Sequence, residues 1–374
     1  MSKPNILFIE NSLLPSRGGI EKVTDILSQA LSKEGYKCFY AYKYVDNPQY
    51  PSESKILLDF NLGQNDFLKR FEQFVRENKI RIIINQGLSQ RRILNSLAHF
   101  KRQQIKIINC LHNTPQYLYH IQPPKDIRNK LILLAKSILM RGNVYVREQQ
   151  KLYEICDYFV LLSTTFVTQA QSVFHLRETK KCIAIPNPLV FSSSTFCSNK
   201  DKTVLIVARF DENQKNIKSA LRIWKQVSEV MTDWKLTIIG YGDAKQDYLD
   251  YIQKFGIKSV YIEGKKENPV EYYCKAAIFM MTSNYEGFSM TLIEALQNQC
   301  IPFVFDTFTS VHDIIIDGKN GYIIPPFDEK LYAQKMITLM GSSQLMEQFR
   351  KESHSSIEKF EIKNILNEWY KILN

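Results

Sequence analysis

Two glutamates eight residues apart are the residues whose type and spacing most clearly suggest chemistry in this sequence. Glu286 and Glu294 lie in the segment NYEGFSMTLIEALQNQ, which follows the apolar run AAIFMMT. Eight helical residues span about 12 Å, which is a scale only, because Gly287 favours a loop. That scale approximates the distance from sugar to ribose in a nucleotide sugar, and a helix N-terminus between the carboxylates would suit the diphosphate. The residues of this predicted helix N-terminus are Phe288, Ser289, Met290 and Thr291.

Two cations form a second chemical feature. Arg209 and Lys215 lie in the segment ARFDENQKNI, just after a predicted strand. At the carboxyl end of that strand they would stabilise the negative charge that develops on a departing nucleotide. The chain has no DxD pair for holding Mg²⁺, and its six histidines and seven cysteines lack the spacing of a metal site. We therefore expect electrostatic catalysis with no metal and no other cofactor.

The elements that must position these residues are apolar runs alternating with helical patterns, a series that occurs twice in 374 residues. Such alternation predicts an α/β protein with two Rossmann-like, doubly wound domains, each a parallel sheet wrapped by helices. A ligand is then expected in the cleft between the domains, at the carboxyl ends of the strands. The predicted parts are an N-terminal domain (1–190), a Ser-rich linker (191–202), a C-terminal domain (203–356) and a last helix (357–374) that could pack on either domain.

The net charge of +11 is unevenly distributed. Residues 1–190 carry 27 Lys and Arg against 15 Asp and Glu, a balance of +12, and the remaining residues carry 22 against 23. A basic domain favours a negatively charged partner surface, either membrane headgroups or nucleic acid, although a merely solvated surface is an open alternative. No recognisable nucleic-acid-binding module is present, so no nucleic acid partner is expected.

The segment from Asp126 to Arg141 favours the membrane among these alternatives. It alternates basic residues with a strongly apolar face, as a helix lying on an anionic membrane does, but an ordinary packed helix has the same pattern. The chain has no apolar run of about 18 residues and no signal-peptide pattern at its start. The expected location is the cytoplasm, with peripheral contact at the inner face of the plasma membrane.

Five segments together resemble the retaining glycosyltransferases of family 4, which have the GT-B fold. They are SRGGIEKV near the N-terminus, IPNPL before the linker, RFDENQKN, EGFSMTLIEA and DGKNGYIIPPFD. The resemblance covers nearly the whole chain and implies a role for individual residues. Arg209 and Lys215 would hold the donor phosphates, Glu286 the hydroxyls of the transferred sugar and Glu294 the ribose.

The same resemblance implies roles for further residues. Gly18 and Gly19 would let the N-terminal loop approach the diphosphate closely, because glycine lacks a Cβ. His112 matches the family's histidine at the sugar end of the cleft, although a structural core histidine is the alternative. The residues in segments that resemble those bordering the nucleobase are Gly240, Gly264 and Lys265.

The activity implied is transfer of a hexose or N-acetylhexosamine, with retention, from a nucleotide-diphosphate sugar. UDP-sugar is the expected donor, and a lipid-linked saccharide or polysaccharide in surface glycan assembly is the expected acceptor. Two alternatives remain open. One is a nucleotide-sugar epimerase of the same fold, and the other is a non-catalytic, membrane-recruited partner of a polysaccharide assembly complex.

Overall fold

The computed structural model describes residues 3–14, 18–44, 52–116, 144–189, 199–266 and 268–374. The chain folds into two compact units, each built on a parallel sheet. Unit 1 comprises Met1–Pro188 together with Ile362–Asn374, and unit 2 comprises Leu189–Glu361. The predicted fold class, α/β with two Rossmann-like doubly wound domains, is confirmed.

Unit 1 is organised around a seven-stranded sheet in its described part. The strands are β1 (Asn5–Glu10), β2 (Cys38–Tyr42), β3 (Lys55–Leu57), β4 (Ile80–Asn85), β5 (Lys106–Leu111), β6 (Tyr158–Leu161) and β7 (Cys182–Ala184). Their order in the sheet is β3-β2-β1-β4-β5-β6-β7, and every pair is parallel. Because helices cover both faces of such a sheet, its strands are continuous apolar runs, and four successive residues of β1 (6–9) are fully buried.

The helices of unit 1 that precede unit 2 in the chain alternate with these strands. They are α1 (Gly19–Lys33), α2 (Gln64–Glu77), α3 (Arg91–Arg102), α4 (144–155) and α5 (Thr164–Val173). The basic amphipathic segment Asp126–Arg141 lies outside the described residues. Among the described residues, no helix is long and apolar enough to cross a membrane.

Unit 2 repeats the architecture with six strands. They are β8 (Asp201–Arg209), β9 (Lys235–Tyr241), β10 (Val260–Gly264), β11 (Ala276–Met281), β12 (Ile301–Phe305) and β13 (Tyr322–Ile324). The sheet order is β10-β9-β8-β11-β12-β13, so the direction of winding reverses between β8 and β11. In doubly wound sheets this reversal opens a crevice at the carboxyl ends of the two strands.

The helices of unit 2 are between four and fifteen residues long. They are α6 (Glu212–Lys215), α7 (Ile217–Val230), α8 (Lys245–Phe255), α9 (Val270–Lys275), α10 (Met290–Gln297), α11 (Val311–Ile314), α12 (Glu329–Met340) and α13 (Ser343–Ile357). Helices α7, α12 and α13 contribute buried residues to one core with the sheet, in which Trp224 and Tyr332 are fully buried.

The chain boundaries differ in detail from those predicted. The first part of unit 1 ends at Pro188 and β8 begins at Asp201, so positions 201 and 202 belong to a strand and not to a linker. Residues 191–198 of the predicted linker lie outside the described part of the chain. At the other end, α13 stops at Ile357, and a 3-10 turn follows in which the buried Phe360 packs against Phe288.

The last helix, α14 (Ile362–Leu373), therefore starts five residues later than predicted, and it belongs to unit 1. Its apolar face, which includes Ile365, Trp369 and Ile372, is buried in the same core as β1. Lys106 at the start of β5 donates to the carbonyls at the end of α14, including that of Ile372 at 3.1 Å. Periodicity alone could not assign this helix to either unit, since it describes only the apolar face and not its partner.

Candidate active site

The winding reversal of unit 2 brings together two loops that carry predicted site residues. One loop follows β8 and contains Arg209 and Lys215, and the other runs from β11 to α10 and contains Glu286. Because β8 and β11 are neighbours in the sheet, their carboxyl ends lie side by side. The topology thus explains why residues about 70 positions apart in sequence meet.

A single helical turn aims Lys215 at this crevice. The carboxylate of Asp211 caps α6 by accepting from the backbone N–H groups of Asn213 and Gln214. Such a cap stabilises a helix start by about 1 kcal/mol. Asn216 then adopts a left-handed conformation (φ 49°), which ends α6 directly after Lys215 and lets α7 begin in a new direction.

The loop after β11 is tied to this turn by hydrogen bonds. Thr282 donates to the carbonyls of Lys215 and Asn216, and Asn284 donates from its backbone and side chain to the carbonyls of Gln214 and Asn213. The lengths of these bonds lie between 2.8 and 3.3 Å. The two loops are therefore held against each other, which fixes the position of Glu286 relative to Lys215.

Lys215 and Glu286 form a buried ion pair. Lys215 Nζ lies 2.6 Å from Glu286 Oε1, and the side chains are only 15% and 8% exposed. Ser283 Oγ donates to the same carboxylate oxygen, also at 2.6 Å. Glu286 is thus held in place by a cation and a hydroxyl, and it is not a solvated surface carboxylate.

Glu294 lies on α10, and its side chain is also buried. Tyr273 of α9 donates from its hydroxyl to Glu294 Oε2 at 2.8 Å. Burial, and to a smaller extent the Glu294 carboxylate, raise the pKa of Tyr273 well above its usual value. The phenol therefore keeps its proton and remains a donor. The orientation of Glu294 is therefore fixed by a second element of unit 2.

The helix start between the two glutamates differs from the prediction. Helix α10 begins at Met290 with Ser289 as its N-cap, so Thr291 lies in the first turn and Phe288 lies before the helix. The Phe288 side chain is buried against Phe360, with ring centroids 5.6 Å apart. Phe288 thus anchors the loop through packing, and its side chain is part of the core.

The remaining predicted residues of unit 2 lie around the same end of the sheet. Arg209 ends β8, is exposed and donates to Gln214 Oε1 at 3.1 Å. Lys265 Nζ lies 5.0 Å from the centroid of the exposed Tyr241 ring, beside Gly264, whose φ is +77°. These side chains are available to a ligand, but the structure does not bring them into contact with Glu286.

Gly240 has a structural reason to be glycine. A Cβ added there would lie 1.8 Å from the carbonyl oxygen of Ala208 on the paired strand and 2.9 Å from the Phe210 ring, and φ is +156°. An L side chain at this position would collide with backbone that cannot move away. The glycine is therefore explained by close packing of β9 on β8, whatever ligand lies nearby.

Gly18, Gly19 and His112 belong to unit 1. Gly18 precedes α1 in an extended conformation that any residue adopts, and Gly19 is the first residue of α1. An added Cβ at Gly18 would meet only the flexible end of Glu21, at 2.8 Å. The backbone conformation of unit 1 thus does not require glycine at position 18, and the predicted close approach of a diphosphate stays a prediction.

His112 follows β5, and its ring is held by an amide. His112 Nε2 lies 2.7 Å from Gln86 Oε1, and Gln86 follows the neighbouring strand β4. Burial lowers the pKa of His112 to about 4, so the ring is neutral near pH 7. The ring is therefore anchored and uncharged near pH 7.

Three residues that contact the predicted site residues were not predicted from the sequence. Ser283 contacts Glu286, Tyr273 contacts Glu294 and Gln86 contacts His112. A weak signal existed for Ser283, since it directly follows the apolar run and lies three residues before Glu286. Nothing in local sequence connects the other two pairs, because they are 21 and 26 residues apart. No group of three His, Cys, Asp or Glu side chains capable of holding a metal ion occurs in the described ranges.

Known proteins are similar to this chain in sequence and in fold. Residues 192–355 match the family described as glycosyl transferases group 1. The amylovoran biosynthesis glycosyltransferase AmsD of Erwinia amylovora is 28% identical over 369 residues, which cover 96% of this chain and 97% of that protein. An α-1,4-N-acetyl-D-galactosaminyltransferase of Campylobacter jejuni, whose name includes a saccharide on PP-undecaprenol, is 25% identical over 224 residues, or 59% of this chain and 61% of that protein.

Among solved structures, the pneumococcal O-GlcNAc transferase GtfA in complex with UDP and GlcNAc matches with a TM-score of 0.78 at 14% identity, covering 100% of this chain and 99% of that one. The two doubly wound units and these matches define the class: the chain is a glycosyltransferase with the GT-B fold. The residues that match the glycosyl transferases group 1 family, 192–355, lie within unit 2.

Proposed function

We propose that the chain is a retaining, metal-independent glycosyltransferase of family 4 that acts in surface glycan biosynthesis. It transfers a hexose or N-acetylhexosamine from a UDP-sugar to a lipid-linked saccharide or polysaccharide. The Lys215–Glu286 pair carries this proposal, because it joins a cation suited to a diphosphate and a carboxylate suited to sugar hydroxyls at 2.6 Å. The GtfA structure, which contains UDP and GlcNAc, and the relatives named for amylovoran biosynthesis and for a saccharide on PP-undecaprenol support the donor and acceptor classes.

The proposed reaction needs no nucleophilic side chain. The acceptor hydroxyl attacks the anomeric carbon on the face from which UDP departs, the bond to the diphosphate oxygen breaks, and the hydroxyl proton leaves with the diphosphate. Lys215 and Arg209 stabilise the charge on the departing diphosphate. Glu286 accepts hydrogen bonds from the transferred sugar, Glu294 accepts them from the ribose, and His112 contacts the sugar as a neutral group.

Donor binding and product stereochemistry test this proposal together. Among a panel of UDP- and GDP-sugars, one UDP-sugar is expected to raise the Tm of the wild-type chain, since a ligand of the native state stabilises it by mass action. NMR of the product formed with a saccharide acceptor is expected to show the anomeric configuration of the donor. An inverted product would refute retention. Interconversion of UDP-N-acetylglucosamine without acceptor would indicate an epimerase, and absence of both donor hydrolysis and transfer would indicate a non-catalytic partner.

We also propose that unit 1 contacts an anionic membrane that carries the acceptor. The excess of 12 positive charges in residues 1–190 supports this, because such a surface is attracted to anionic headgroups. The chain is expected to float with liposomes that contain phosphatidylglycerol and to remain in the soluble fraction with purely zwitterionic liposomes. Raised salt is expected to release it. Flotation that is independent of anionic lipid would contradict the proposal and leave the charge as ordinary surface.

A further inference from the structure

Gln86 occupies a position in unit 1 that the proposed reaction does not yet use. It follows β4 directly, its side chain is 3% exposed, and its backbone N–H donates to the carbonyl of Ile9 at 2.8 Å. His112 follows β5, the next strand in the sheet. The two side chains thus emerge at the same sheet edge, from backbone that the sheet holds rigidly.

The hydrogen bond between them defines a tautomer. Gln86 Oε1 is an amide oxygen, which can only accept a hydrogen bond, and it lies 2.7 Å from His112 Nε2. His112 Nε2 must therefore carry a proton and donate it. In a neutral imidazole the other nitrogen, Nδ1, then carries a lone pair and no proton.

The surroundings of Nδ1 oppose a second proton. His112 Nδ1 is buried and has no hydrogen-bond partner among the described residues. A proton there would create a buried N–H without an acceptor in a ring that burial already keeps uncharged, with a pKa of about 4. The neighbouring polar pair, Asn85 and Asn109, is uncharged and is joined by a hydrogen bond of 2.6 Å. The ring's partner is thus the neutral amide of Gln86, and the titratable group at the end of the next strand, β1, is Glu10, whose pKa burial raises well above its usual value.

We propose that Gln86 is a positioning residue for the transfer reaction: it fixes the ring orientation and the Nε2–H tautomer of His112 and so keeps His112 a neutral hydrogen-bonding group. This inference rests on the proposed function for its effect on catalysis. Its structural part, the tautomer, does not depend on which sugar the enzyme transfers. At metal sites, loss of a partner that orients a histidine lowers activity by about 10–100-fold, and we expect an effect of this size here.

The first test is NMR of the chain labelled with ¹⁵N-histidine, in which the loss of signals in His112→Asn assigns His112. The wild-type ring is expected as the neutral Nε2–H tautomer from about pH 6 to pH 8. Gln86→Leu, which has similar volume and no acceptor, is expected to leave a mixture of tautomers. An Nδ1–H tautomer or a charged ring in the wild type would overturn the proposal, as would an unchanged tautomer in Gln86→Leu.

The second test introduces a charge at the same atom. In Gln86→Glu a carboxylate accepts from Nε2–H and favours imidazolium, which is expected to raise the pKa of His112 by about 1–3 units. The charged imidazolium accumulates below this raised pKa. As the pH is lowered, kcat is therefore expected to start falling at a higher pH than in the wild type. Gln29→Glu adds the same charge on the exposed surface of α1, and it is expected to leave both values unchanged.

Kinetics separate positioning from a purely structural role. Gln86→Leu is expected to lower kcat by about 10–100-fold with little change in the KM of the donor, and to keep the wild-type Tm within a few degrees. A variant with unchanged kcat would overturn the inference while the proposed function stands. A wild-type chain that transfers no sugar from any donor would overturn the proposed function, and the tautomer would still be decided by NMR.

Discussion

Glu286→Gln and Lys215→Met are each expected to lower the transfer rate by about 10²–10³-fold, which corresponds to the loss of one preorganised charged group. Each single change also leaves a buried charge without its counter-charge. The unfolding free energy is expected to fall by about 3–5 kcal/mol, because Lys215 and Glu286 are largely shielded from water. Initial rates with the identified UDP-sugar and thermal unfolding of the same preparations measure the two effects.

The double variant separates stability from activity. With both charges replaced, no unpaired charge is left buried, so Lys215→Met combined with Glu286→Gln is expected to be more stable than either single variant. Its transfer rate is expected to stay as low as theirs. Recovery of activity together with stability would contradict the site assignment, as would wild-type turnover in either single variant.

Two further sets of substitutions give effects with which those at Lys215 and Glu286 can be compared. Ser283→Ala removes the hydroxyl that donates to Glu286 Oε1 and is expected to lower the rate by about tenfold, or ~1.4 kcal/mol. The matched control is the Arg222–Glu329 ion pair of unit 2, which is more exposed. Arg222→Met combined with Glu329→Gln is expected to retain the wild-type rate and to cost less than about 1 kcal/mol of stability.

Gly240→Ala is expected to destabilise unit 2 by about 3 kcal/mol or more, through overpacking and an unfavourable φ. The added methyl would lie 1.8 Å from the Ala208 carbonyl oxygen, and both residues are held in paired strands. A melting temperature lowered by about 6–12 °C is the expected result for a unit of this size. Donor binding is lost only together with folding.

Gly256→Ala is the matched control for Gly240. Gly256 ends α8 with φ +60°, and an added Cβ there meets nothing within 4 Å. Only the cost of the left-handed backbone remains, about 1 kcal/mol. Equal destabilisation by the two substitutions would contradict the packing explanation. A Gly240→Ala variant that folds normally and loses only donor affinity would assign the glycine to the nucleobase instead.

Local sequence predicted the elements that are long or chemically distinctive. Strands such as β8 and β11 are continuous apolar runs, and this pattern is typical of buried parallel strands. The sequence also predicted that Lys215 and Glu286 each follow a strand, but their contact depends on β8 and β11 being neighbours in the sheet, which local sequence does not report. By contrast, β3 and β13 are three residues long at sheet edges, too short for a pattern to be recognised.

The partners that hold the site depend on tertiary contacts, and local patterns do not report these. Tyr273 reads as an ordinary aromatic residue of a short helix until the fold brings its hydroxyl to Glu294. Phe288 resembles a member of a helix N-terminus until Phe360, 72 positions later, packs on it. In both cases a side chain far away in sequence decides the role.

Helix α14 has a consequence for the order of folding during synthesis. Unit 2 is continuous in the chain, and its first and last parts are joined by a backbone hydrogen bond from Leu189 to Phe360. Unit 1 is discontinuous, because its core needs Trp369 and the other apolar residues of α14. The ribosome therefore finishes the whole of unit 2 before it supplies the helix that completes unit 1. Until then the apolar surface that α14 covers in the finished chain has no cover.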